Sequence, residues 1–216
     1  MLSGSNKIFR SAASLALVAV MGTTLLVGVD RLTKARITEQ EKRVILDQLG
    51  QLVSPDLYDN ELHLDLFSFQ DDLHFPRGQT VLTYRARLDG KPVAVVLKIA
   101  AVNGYNGTIN LLVGIKENGT LLGVRVTSHK ETPGLGDAIE VDKNDWILGF
   151  FGRNLDNPQP DGWAVKRDGG EFDQFTGATI TPRAVVEAVR LALEFFADHK
   201  SLLFESPVNS DPGEKT

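Results

Sequence analysis

Two dipeptides, Asp89-Gly90 and Asn118-Gly119, do most to limit what this chain can fold into. Each tolerates the positive φ angles of a two-residue hairpin turn, and each lies between runs rich in Val, Leu, Ile and Thr. Thr80 to Leu88 and Pro92 to Ala101 are therefore expected to pair around the first turn, and Thr108 to Lys116 and Leu121 to Ser128 around the second. Two successive hairpins predict a meandering antiparallel sheet. Further on, Val185, Val186, Val189, Leu193 and Phe196 recur at helical spacing. A sheet closed by a terminal helix is an α+β domain.

Other segments read less sharply. Between Glu61 and Pro76, Leu62, Leu64 and Leu66 alternate with His63, Asp65 and Phe67, which suits a short strand or an irregular docking segment. Ala138 to Phe151 is expected to hold a helix or loop with Trp146, Ile147 and Phe150 inward, and Trp163 to Lys166 a short strand ended by Asp168-Gly169-Gly170.

The amino terminus adds a different element. Residues 11–29 carry no charge and lie between Arg10 and Asp30. At about 1.5 Å per residue the run matches a hydrocarbon core of roughly 30 Å and reads as one transmembrane helix. A cleaved signal peptide would want a shorter apolar core and a better small-x-small site than Thr24-Leu25-Leu26-Val27-Gly28-Val29 offers. Residues 1–10 would then form a short tail, 30–55 a helical stalk stopped by Ser54-Pro55-Asp56, 56–205 the domain, and 206–216 a polar, disordered tail.

Beyond residue 29 the chain holds 21 basic and 28 acidic residues, a balance that argues against a nucleic-acid partner. It has no cysteine, hence no disulfide and no thiolate-bound iron–sulfur cluster. The four histidines, His63, His74, His129 and His199, are scattered, so no metal site is expected. No Ser-His-Asp set, carboxylate pair or dinucleotide glycine motif stands out.

The segment with most chemical content is Asp173-Gln174-Phe175-Thr176-Gly177-Ala178-Thr179. Thr181 is expected to cap the following helix with Pro182 at its first position, so a phosphate on or near Thr179 would meet free N–H groups and the positive end of the helix dipole. On its own the segment also reads as an ordinary turn into a helix.

Asp-x-x-Thr-Gly-Ala-Thr resembles the flavinylation motif of the FMN-binding domain family, found in the G subunit of the Rnf (Rsx) electron-transport complex and the C subunit of the sodium-translocating NADH:quinone reductase. His129-Lys130-Glu131-Thr132-Pro133-Gly134-Leu135-Gly136 is similar to the family's His-x-Glu-Thr-Pro-Gly-Leu-Gly segment, and Gly104-Tyr105-Asn106-Gly107 with Leu111-Leu112-Val113-Gly114 to the strands before it. The resemblance runs from about Val93 to Arg190, and the chain's modest length suits the first of these two homes better. It implies FMN joined through its phosphate to Thr179, and a flavin transferase that uses FAD and recognises Asp173, Thr176, Gly177 and Ala178. It also implies a flavin-contacting loop of Gly134, Leu135 and Gly136, with Glu131 and Thr132 either orienting it or bonding the flavin. Lys166 would place a cation near the flavin or stay a solvated surface lysine, and His129 is a candidate proton relay.

Such a protein would carry electrons within an ion-translocating oxidoreductase linked to ferredoxin and NAD, alongside other subunits and membrane lipid, in a bacterial inner membrane. The competing reading is an anchored assembly subunit with no redox role. Arg31, Lys34, Arg36, Lys42 and Arg43 outnumber Lys7 and Arg10, so a bare charge count would put the domain in the cytoplasm, whereas the resemblance implies the periplasm.

Overall fold

The computed structural model describes residues 15–29 and 45–204. The chain divides into two compact units, Met1–Ile45 and Leu46–Thr216. In the first, residues 15–29 are helical and exposed throughout, with Leu15, Val18, Met21, Leu25 and Leu26 presenting bare aliphatic surface. Thr23 and Thr24 turn their hydroxyls back onto the carbonyls of Ala19 and Val20, which hides their polarity inside the helix. Among the described residues no helix is long and apolar enough to cross a membrane. The expected tail 1–10, most of the stalk 30–55 and the tail 206–216 lie outside the described residues; residues 45–52 are helical, and a 3₁₀ turn at Pro55–Leu57 follows.

The second unit is built on the predicted meander. Five strands, β1 Leu66–Gln70, β2 Thr80–Leu88, β3 Lys91–Gly104, β4 Gly107–Lys116 and β5 Leu121–Ser128, lie in sheet order β1-β2-β3-β4-β5, all antiparallel. Asp89 and Gly90 both take positive φ, 52° and 74°, at the β2–β3 turn, and Gly119 takes 83° between β4 and β5. β1 begins only at Leu66, and its half-buried side chains are Phe67 and Phe69, so the leucine alternation expected from Leu62 onward gives way to an aromatic one.

Alternation divides the sheet between two layers. Val95, Leu97, Ile99, Leu111, Val113 and Ile115 share one core with Val185, Val189, Ala192, Leu193 and Phe196 of the C-terminal helix, Ile180–Phe204. On the opposite face Leu52, from the helical residues 45–52, approaches closely because Gly114 and Gly123 present no side chain; a Cβ on either would stand 3.6 or 3.2 Å from it. Gln48 donates to the Val126 carbonyl at 3.1 Å and holds that segment down. Each of these buried aliphatic side chains contributes about 1.5–3 kcal/mol relative to exposure.

The 138–151 region consists of two 3₁₀ turns, Gly136–Ile139 and Asp145–Phe150, with Ile147 and Phe150 fully buried and Trp146 half-buried. The strand expected over Trp163 to Lys166 is absent: Val165 makes one isolated bridge to Phe172, and a 3₁₀ turn starts at Lys166. Gly170 lies so close to the Ala164 backbone that a Cβ would meet its carbonyl oxygen at 2.0 Å, and this tight loop leaves no room for a strand partner. Phe150, Trp163 and Phe172 hold the loop instead, with Phe172 4.8 Å from Phe150 and 5.3 Å from Trp163.

The histidines are not all scattered once the chain folds. His74, after β1, and His199, near the end of the C-terminal helix, converge with Asp71. Sequence spacing does not reveal this cluster.

Candidate functional site

Thr179 is set by a tight turn and by the helix that follows it. Phe175 and Ala178 form a bridge, closed by Ala178 N–H donating to the Phe175 carbonyl at 3.1 Å, with Gly177 at φ 81°. The helix begins at Ile180, so Thr179 itself stands at the capping position, and its carbonyl accepts from Arg183 N–H at 3.4 Å. This corrects the expectation that Thr181 caps the helix and Pro182 opens it. Thr181 lies inside the first turn, fully buried, and spends its hydroxyl as a donor to Glu131 Oε2. Pro182 is tolerated at the third position because an N–H there would lack an intrahelical acceptor anyway. Thr179 is half-exposed, and among the described residues its hydroxyl has no hydrogen-bond partner.

The second component is the loop after β5. Glu131 is buried, and its carboxylate accepts from Thr181 and, at 3.0 Å, from the backbone N–H of Asn106 in the β3–β4 turn. Thr132 Oγ1 accepts from Asn106 Nδ2 at 3.1 Å, and the Thr132 carbonyl accepts from the N–H groups of Leu135 and Gly136. Gly136 is required for this closeness: a Cβ there would lie 2.9 Å from Glu131 Oε2 and from Thr181 Oγ1. Glu131 thus ties together the β3–β4 turn, the loop and the start of the helix. Gly134 takes φ 77° at an open surface, and Leu135 is left 43% exposed. Leu135 Cδ2 lies 3.5 Å from where a Cβ on Gly177 would stand, so the loop and the Thr-Gly-Ala-Thr turn sit side by side.

The other residues expected at the site surround this pair. Lys166 donates to Asp173 Oδ1 at 2.6 Å, with both side chains mostly in solvent. The Asp173 carbonyl accepts from Trp146 Nε1 at 2.8 Å, and Trp146 meets the Phe175 ring edge-on at 5.2 Å. Thr176 and Gly177 are exposed and Ala178 is half-buried. His129 has both ring nitrogens committed: Nδ1 accepts from Glu131 N–H at 3.0 Å, which places the proton on Nε2, donated to Glu140 at 2.8 Å.

Several contributors take roles at the site that the sequence does not announce. Asn106 and Thr181 act through Glu131, and Trp146 holds the segment before Thr176. Arg183 binds Asp168 through two nitrogens, at 2.6 and 2.9 Å, and this hydrogen bonding holds the Asp168 carboxyl below its ordinary value.

The arrangement fits an FMN. An unbonded hydroxyl lies where the first-turn amides leave N–H groups free for a phosphate, beside a Gly134-Leu135 shelf whose exposed apolar side chain can cover a planar ring. Bound there, FMN would supply an acceptor and donor of one or two electrons.

Comparison with known proteins agrees. Residues 104–194 match the FMN-binding domain family, and residues 1–52 match the RnfG N-terminal region. The chain is 42% identical over 204 residues to the G subunit of the ion-translocating oxidoreductase complex from Vibrio atlanticus, covering 94% of this chain and 97% of that one. It is 46% identical over 200 residues to the protein of the same name from Pseudomonas aeruginosa, covering 91% and 92%. With that of Shewanella oneidensis it shares 41% over 207 residues, covering 96% and 98%. From its turn and loop to its nearly full-length likeness, the chain belongs to the family of G subunits of ion-translocating oxidoreductase complexes.

Proposed function

We propose that this chain serves its complex by holding FMN covalently, through a phosphoester on Thr179 Oγ1, and passing electrons between neighbouring redox subunits in ferredoxin- and NAD-linked transport. As an FMN-binding subunit of an ion-translocating oxidoreductase, it carries electrons and is not expected to be active alone. The observation that carries the covalent reading is the half-exposed, unbonded hydroxyl of Thr179 at the N-terminus of a 25-residue helix. The dipole of that helix and its free amides stabilise the single negative charge of a phosphodiester, and the Glu131–Thr181 bond fixes the first turn so that they are already aligned.

Asp173 is the outward handle for a flavin transferase, with Thr176, Gly177 and Ala178 forming the strip it reads. Gly134, Leu135 and Gly136 line the ring. Glu131 and Thr132 are assigned to holding that loop, since their side-chain oxygens already serve Thr181 and Asn106. Lys166 sits by Asp173 and steadies the recognition strip. His129, with both nitrogens engaged, braces the loop entrance and is a weaker candidate for moving protons.

Residues 11–29 are assigned as a single inner-membrane span, supported by the uncharged run and by the exposed aliphatic surface of helical residues 15–29. Residues 1–10 form the cytoplasmic tail, 30–55 the stalk, 56–205 the periplasmic flavin domain and 206–216 the polar tail, with lipid and the other subunits as neighbours.

The test is co-expression with a flavin transferase, reading flavin fluorescence of the denatured chain and electron transfer by the assembled complex. Wild type should fluoresce, and Thr179→Ala should lose both signals. A complex that assembles and transfers electrons normally with Thr179→Ala would favour the assembly-subunit reading.

A further inference from the structure

Towards the end of the C-terminal helix remote from Thr179, about 30 Å away at 1.5 Å per residue, the chain brings together a second set of chemically able side chains. Asp71 Oδ2 lies 3.0 Å from His74 Nδ1 and 3.5 Å from His199 Nε2, and one ligand atom from each of the three residues falls within 4.8 Å of the other two. In a tetrahedral site with metal–ligand bonds near 2.0–2.1 Å, ligand atoms are about 3.4 Å apart. Asp71 Oδ2 already stands near that spacing from both imidazoles.

The surroundings prepare each donor for a cation. Asp71 Oδ1 is occupied by the N–H groups of Leu73 and His74, at 2.7 and 3.1 Å, so Oδ2 is the oxygen turned to the imidazoles. His199 Nδ1 faces the Phe195 carbonyl at 3.0 Å. A carbonyl only accepts, so Nδ1 carries a proton and Nε2 is the ring nitrogen turned toward Asp71. His74 Nε2 stands 3.2 Å from Asp198 Oδ2, the outer carboxylate that commonly orients a metal-binding imidazole. The Asp71 and His74 side chains are only 9% and 7% exposed. Phe195 stacks on His199 at 4.6 Å and Phe69 lies 6.1 Å from it, giving an apolar wall.

We propose that Asp71, His74 and His199 bind one divalent transition-metal ion, with zinc the best match, leaving a fourth position for water and using Asp198 to orient His74. Two nitrogens and one carboxylate oxygen suit zinc better than magnesium or calcium, which prefer all-oxygen shells. The ion pins the loop after β1 to the last turns of the C-terminal helix, leaving the flavin turn untouched.

The experiment uses the full chain stripped with a chelator, then titrated with Zn²⁺ and, separately, with Co²⁺. One equivalent of zinc should remain after gel filtration and raise the melting temperature, and cobalt should give the visible absorption of a four- or five-coordinate centre. His199→Gln should lower zinc affinity more than about a hundredfold. Asp198→Asn, which touches no ligand atom of the metal, should lower it about tenfold to a hundredfold. His63→Gln should change nothing. A wild-type chain that retains no zinc, or a folded His199→Gln chain that binds it as tightly as wild type, overturns the proposal and leaves the cluster as an ion-paired strut.

Discussion

Replacing Thr181 with Val keeps the branched shape and deletes one oxygen, so it isolates the hydroxyl that joins the first helical turn to Glu131. Both residues are buried, away from bulk solvent. A hydrogen bond to a charged acceptor contributes about 1.5–3 kcal/mol, and the stranded Glu131 oxygen adds a desolvation cost that partial relaxation offsets. We therefore expect a loss of about 2 kcal/mol. For a domain of this size each kcal/mol shifts the melting temperature by about 2–4 °C, which predicts a fall of about 4–8 °C by circular dichroism of the full chain in detergent. Glu131→Gln weakens the same bond, so the double variant should fall short of the sum of the singles by at least about 0.5 kcal/mol. A melting temperature for Thr181→Val within about 1 °C of wild type, or strict additivity with Glu131→Gln, would refute the reasoning.

Two further outcomes follow from the same geometry. Gly177→Ala forces a side chain onto φ 81° but meets Leu135 only at ordinary contact distance, so it should cost about 1–2 kcal/mol in chemical denaturation, and Leu135→Ala should not relieve it. The Asp168 carboxyl is depressed from its ordinary value of 3.8 by hydrogen bonding from Arg183, so its contribution to stability is complete above that value and fades as the pH falls through the lower folded-state value. The stability gap between wild type and Asp168→Asn should therefore close only in acid. A gap that instead closes on raising the pH would contradict the assignment.

The meander is legible because turn chemistry is local: Asp89 and Gly90 both take positive φ in the first turn and Gly119 does in the second, and the β5 limits, Leu121–Ser128, match the expected strand. The C-terminal helix starts at Ile180, ahead of the expected Pro182, because Thr181 has the composition of a cap and only the fold reveals Glu131 claiming its hydroxyl. Trp163 to Lys166 has strand-like composition, but a strand needs a partner, and the close approach of Gly170 to Ala164 removes it. The cluster of Asp71, His74 and His199 is invisible in sequence for a related reason. Its members come from a loop near the first strand and from the end of the last helix, and no spacing rule spans that separation. The roles proposed for Thr179 and Asp173 come from a motif, and the fold adds a physical reason why a phosphate would be held there.

The most direct test of the central claim is peptide mass mapping of the full chain matured with a flavin transferase. The claim predicts an adduct of FMN less one water on the peptide containing the Thr-Gly-Ala-Thr turn, with fragmentation placing it on Thr179 and on neither Thr176 nor Thr181. An adduct on another residue, or an unmodified peptide alongside an active transferase, would contradict it.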